Sequence, residues 1–172
     1  MRHAEDEIAL AGLDDVSGIL VLQERNLSSI GGSLSVPFSR SWFETAVASA
    51  QVIVARRNER VVGYLVSCDF AAQAHVPLVQ AMLKVYPGTP GAYNYGPVCV
   101  SESERGRGLA GAMFAALRAR LPEREAVAFI RADNTPSLLA HRRMGMQQVA
   151  DFTHDGVEFI IVAFGGRSLH ET

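Results

Sequence analysis

The sequence is short of three things: cysteine, unbroken apolar runs and net charge. Its only cysteines are Cys68 and Cys99. Each falls inside a β-branched, apolar stretch, so reduced core thiols are expected and a disulfide framework is excluded. No apolar stretch approaches the roughly 18 residues that cross a bilayer, so no membrane span is expected. The first seven residues are too acidic and polar for a secretory signal, which puts the expected location in the cytoplasm. A net charge of −2 argues against a general nucleic-acid binder. The histidines other than His141 (His3, His75, His154 and His170) are scattered singly, so no metal site is expected.

What remains is ordinary for a globular protein: 172 residues, 48% apolar and 20% charged. One domain spanning residues 1–172 is expected, with 165–172 as a loose tail. Charge is unevenly spread. Residues 105–143 hold eight arginines against three acids, a local +5. A solvated helix face accounts for Arg118, Arg120 and Arg124. A polyanion site accounts better for Arg105 and Arg107, which sit inside a glycine turn.

That turn is the most informative stretch. A β-type segment (95–100) enters a polar turn, and Arg105-Gly106-Arg107-Gly108-Leu109-Ala110 leads into an amphipathic helix (108–121). Such a turn leaves backbone N–H groups unpaired at the positive end of a helix dipole, a seat for phosphate oxygens. Around it, periodicity predicts a strand at 8–10 and a helix at 14–27. A loop at 28–39 follows, then a helix opened by a Ser41/Glu44 capping box. Strands 52–56 and 60–69 form a hairpin. A helix over 74–86 is interrupted near Pro77. A strand at 126–131 precedes a helix that Asn134 starts and Gly145 stops. Asp155-Gly156 joins a last hairpin. The order is β-α-α-β-β-(α)-β-α-β-α-β-β, an α/β (α+β) domain with a mixed sheet.

Gly106-x-Gly108-x-x-Gly111 also matches a dinucleotide fingerprint, with Asp133 as a stand-in for the ribose acid. Only 61 residues follow Gly111, too few for a doubly wound domain.

Arg105-x-x-Gly108-x-Ala110 resembles the acyl-CoA signature of the GNAT superfamily of N-acetyltransferases (Arg or Gln, two residues, Gly, one residue, Gly or Ala). Asn134, Ser137, His141 and Gly145-Met146 resemble its second block (Asn, a small residue, an aromatic, Gly-Phe). The resemblance covers nearly the whole chain. It implies a GNAT-like fold, about seven strands flanked by helices with a splay between the central ones. It implies transfer of an acetyl or small acyl group from coenzyme A to a small-molecule or protein amine, by direct attack in a ternary complex. Acetyl-CoA would be the co-substrate, with no metal.

By the same resemblance, backbone groups of Val98, Cys99 and Val100 would pair with the pantetheine arm. Amides of Arg105, Gly106, Arg107, Gly108, Leu109 and Ala110 would cradle the pyrophosphate. Asn134 and Ser137 would contact the cofactor. His141 stands where the family usually has a tyrosine that protonates the leaving thiolate. Two readings of it stand, general acid or packing residue. No general base announces itself: Glu102 and Glu104 are expected to face solvent, and Tyr93 and Tyr95 line the acceptor pocket or pack the strand. Acceptor specificity is assigned to 28–39, the helix around Trp42, and 70–94. The architecture permits a homodimer through the terminal hairpin (147–164). The alternative to an enzyme is a non-catalytic acyl-CoA-binding sensor.

Overall fold

The computed structural model of the chain describes residues 6–27, 34 and 37–165. Its strands are β1 (Glu7–Leu10), β2 (Val52–Arg57), β3 (Arg60–Asp69), β4 (Tyr93–Val100), β5 (Ala126–Arg131), β6 (Gln147–His154) and β7 (Val157–Phe164). The helices are α1 (Val16–Arg25), α2 (Arg40–Ala48), α3 (Pro77–Val85), α4 (Leu109–Arg120) and α5 (Thr135–Arg143). The strands form one seven-stranded mixed sheet in the order β1-β2-β3-β4-β5-β7-β6. Pairing is antiparallel for β1–β2, β2–β3, β5–β7 and β6–β7, and parallel for β4–β5. The expected α/β class, element order and mixed sheet are all present. Most of the expected 28–39 loop and nearly all of the tail lie outside the described residues.

The chain divides into two compact units. The first is Met1–Ser67 with Gly96–Arg120, the second Cys68–Tyr95 with Leu121–Thr172. In the first, Val16, Ile19, Phe43, Val54 and Tyr64 are fully buried and cluster together. Asp15, ahead of α1, makes a two-pronged ion pair with Arg56 (Oδ1–Nε 2.8 Å, Oδ2–Nη2 2.6 Å) and also accepts the Gly12 amide at 2.7 Å. In the second unit Met82, Val127 and Ile161 are buried together with Phe152 and Phe159. Buried Glu125 holds the loop before β4, accepting from Tyr86 Oη (2.8 Å) and Thr89 N (2.9 Å).

Three local expectations need correction. Helix α2 is capped by Ser39, whose Oγ accepts the Trp42 amide at 3.2 Å. Ser41 therefore lies inside the helix, where Glu44 pairs with Arg40 instead of closing a capping box. Pro77 does not interrupt a helix; it occupies the first turn of α3, where its missing N–H costs nothing. The β2–β3 turn, expected over the three residues between strands 52–56 and 60–69, is two residues long because β2 runs on through Arg57, leaving Asn58 and Glu59, both in the left-handed region (φ 48° and 63°). A two-residue turn of that kind matches the twist of paired strands.

Candidate active site

Within the first unit lie the end of β4, the glycine turn and α4. Ser101 N donates to Val62 O at 2.8 Å, and the Cys99 carbonyl lies against Gly63. Residues 99 and 101 thus direct their backbone toward β3. By strand alternation, Val98 and Val100 direct theirs to the opposite edge. Cys99 is thereby separated from its two neighbours in the expected set. Its buried thiol donates weakly to Leu22 O at 3.9 Å, and burial pushes its pKa up to about 11. A thiol so placed is inert at neutral pH.

A single 3₁₀ turn (Glu102–Glu104) leads to Arg105, and then Gly106 and Gly108 take φ of 77° and 78°. A Cβ built on either glycine meets nothing within 4 Å, so the turn opens on free space. The backbone bond from Ala112 N to Gly108 O (3.0 Å) spans the first turn of α4. The amides of Leu109, Ala110 and Gly111 therefore precede the helical ladder and point out of the helix start. The Leu109 side chain is buried with Met113, Phe114 and Leu117, anchoring the helix and leaving only its backbone to the turn.

The arginines of the turn do not stand free. Arg105 donates through Nη2 to Asn26 Oδ1 at 2.6 Å and through Nε to Val100 O at 3.3 Å. Arg107 donates to Glu104 Oε2 at 3.0 Å, and the same oxygen accepts from Arg57. Glu104, expected in solvent, is mostly covered, with a side chain 13% exposed. Two arginines draw it in. Glu102 is exposed as expected. Sequence reasoning missed Asn26 and Arg57, because each comes from an element distant in the chain.

Within the second unit lies α5. Asn134 caps it, its Oδ1 accepting the Ser137 amide at 3.3 Å. Among the described residues the Asn134 Nδ2 has no partner. The Ser137 carbonyl accepts from His141 Nδ1 at 2.7 Å, and its Oγ lies 3.3 Å from the same nitrogen. With Nδ1 donating, Nε2 keeps the lone pair. His141 is only 4% exposed, and its ring meets Tyr95 edge-on at 5.4 Å. Burial lowers its pKa, outweighing the Ser137 bond that raises it, so the ring rests neutral. Tyr93 and Tyr95 are buried strand aromatics. Among the described residues no group of three or more His, Cys, Asp or Glu can hold a metal, and no helix is long and apolar enough to cross a membrane.

A glycine turn opening a helix beyond a central strand, within this strand order, defines an acyltransferase architecture. The chain belongs to the acetyltransferase (GNAT) family, whose model matches residues 21–146. No curated protein matches it significantly. Solved structures share the fold at low identity. An N-acetyltransferase from Staphylococcus aureus Mu50 is 20% identical, with a TM-score of 0.70 over 94% of this chain and 98% of that one. The yncA protein of Salmonella typhimurium, solved with its cofactor acetyl-CoA, is 16% identical, with a TM-score of 0.71 over 98% of both chains. A ribosomal-protein-alanine N-acetyltransferase from Brucella melitensis is 20% identical, with a TM-score of 0.68 over 92% and 98%.

Proposed function

We propose that the protein transfers an acetyl, or another small acyl group, from coenzyme A to an amine by direct attack in a ternary complex. The observation that carries this reading is the turn itself. Gly106 and Gly108 are left-handed, nothing stands where their Cβ atoms would be, and the amides of Leu109 and Ala110 lead out of the helix start. A pyrophosphate fits such a cradle, and a side chain at either glycine would fill it. The family match runs through residues of both units, which supports one acetyltransferase domain.

Acetyl-CoA, when bound, supplies the thioester. The chain's own part is to hold it and to manage protons. Val98 and Val100 offer backbone groups at one edge of β4 for the pantetheine amides, and they polarise the acyl carbonyl. Asn134 donates through Nδ2, while Ser137 serves chiefly to fix His141. His141 enters the reaction neutral, so its Nε2 first takes the proton of the attacking amine. Only then has it one to give to sulfur.

The buried, neutral state of His141 also favours a second reading, a module that binds acyl-CoA without turnover. A panel of amines, read by release of free thiol after calorimetry has established acetyl-CoA binding, separates the two. Thiol release with any amine supports transfer. Binding without release on every amine favours the module, and absence of binding overturns both.

A further inference from the structure

Arg105 has the charge to meet a phosphate and is an exposed residue, yet its guanidinium bonds back onto the protein. Nη2 donates to Asn26 Oδ1 at 2.6 Å and Nε to Val100 O at 3.3 Å. Asn26 is the C-terminal cap of α1, only 6% exposed, and its Nδ2 donates to Leu22 O at 2.8 Å. Its backbone is held too, N to Gln23 O at 3.0 Å and O from Leu34 N at 2.9 Å. The amide can face only one way. Flipped, it would set NH₂ against the guanidinium and oxygen against the Leu22 carbonyl.

We infer that Asn26 is a positioning residue for the cofactor turn, and that Arg105 serves the turn through the geometry of its bonds more than through its charge. The inference rests on the reading of 105–110 as the coenzyme A site. Arg105 reaches back over the 3₁₀ turn to the last carbonyl of β4 and is braced by the end of α1. That closure fixes where the chain enters Gly106, and hence where the following amides stand. Its cation also lies at the C-terminal end of α1, where positive charge is favoured. Glutamine, the other residue the signature allows here, keeps a planar NH₂ donor without charge. Lysine keeps the charge without the fork.

The test is calorimetric affinity for coenzyme A. Asn26→Ala and Arg105→Ala are each expected to weaken binding about tenfold, and the double variant no further, because both break one latch. Arg105→Gln recovers most of the loss and Arg105→Lys does not. Gln23→Ala is the control. Gln23 is equally buried in the last turn of α1, but it bonds the Phe38 backbone (2.9 and 2.8 Å) and not the turn. It should lower the melting temperature and leave the affinity alone. Unchanged affinity in Asn26→Ala, additive losses in the double variant, or Lys outperforming Gln overturns the inference and returns Arg105 to the phosphate. Failure of the unmodified protein to bind coenzyme A overturns the site assignment itself, and the latch falls with it.

Discussion

Placing a carboxylate on the glycine turn separates charge from backbone strain. Gly108 has φ 78°, and an added Cβ meets nothing within 4 Å. Any L-residue there pays a left-handed penalty of about 1–2 kcal/mol in stability. Gly108→Ala measures that cost alone, while Gly108→Glu adds a charge beside the first amides of α4. The helix start welcomes that charge by roughly 0.3–1 kcal/mol, so the carboxylate takes the seat proposed for phosphate. A phosphate forced to lie about 5 Å from it is disfavoured by roughly 1–3 kcal/mol, for an effective dielectric between water and the protein surface. Arg107 offsets little, because Glu104 already holds it at 3.0 Å. The dissociation constant for coenzyme A should therefore rise at least about tenfold in Gly108→Glu, equivalent to about 1.4 kcal/mol. Gly108→Ala should raise it less than about threefold. Calorimetry at low and high salt provides the check, since an electrostatic loss shrinks as the Debye length falls. Affinity within twofold of the unmodified protein, in a folded Gly108→Glu, would refute the assignment of this turn to phosphate.

Two further predictions concern titrating groups. Burial lowers the pKa of His141 in the folded state below its unfolded value of about 6.5, so the unfolded chain binds the proton more readily. The associated stability is full above about pH 6.5 and is lost as pH falls through the lowered value. His141→Gln should remove that slope in urea midpoints taken between pH 7.5 and 5, and should lower kcat of any established transfer about 100-fold. A threefold change or less makes His141 a packing residue. For Asp15, the hydrogen bonds from Arg56 outweigh burial and hold the carboxyl below the usual range. Its stabilisation is present above about pH 3.9 and lost as pH falls through the lowered value. Asp15→Ala strands the Arg56 guanidinium, whose side chain is 20% exposed, beside Glu7 alone. The cost should be about 2–3 kcal/mol, below that of a fully buried pair, read as a drop of roughly 5–10 °C in melting temperature. A drop under 2 °C contradicts the account.

What could be read from the sequence was short in range. Asp155-Gly156 predicts its turn because those two residues alone must take positive φ, and they do (49° and 76°). Asn134 predicts its cap because the acceptor and the amide it serves are three residues apart. The cap of α2 was misplaced for the same reason. Ser41 carries the stronger local signal, with Glu44 three residues on, yet Ser39 caps the helix, whose Phe43, Ala46 and Val47 are buried. The family resemblance was legible because its motifs are compact: one turn and one helix. The partners of those motifs were not. Glu104 read as a solvent-facing turn acid until Arg57, from the far end of β2, closed on it.

The arginines show how a window of charge misleads. The excess of +5 between residues 105 and 143 suggests an open polyanion site, but the count ignores what folding brings to each side chain. Arg107 is met by Glu104 and Arg124 by Asp69, both acids outside the window. Arg131 pairs with Asp133 inside it. Arg118 lies over the Phe114 ring at 5.2 Å, and Arg105 spends its bonds on Asn26 and Val100. The two acids from outside the window offset Arg107 and Arg124, so the field is weaker than the count suggests, while Arg105 and Arg118 keep their charge. Under the proposed function, binding at the turn would then depend on aligned amides, whose direction is set by φ at two glycines. A site built this way selects a ligand by shape at close range, and it tolerates a protein of net charge −2. Part of the positive charge that the window counts is engaged within the protein, by Glu104, Asp69 and Asp133, and the Arg105 guanidinium is held by Asn26 and the Val100 carbonyl.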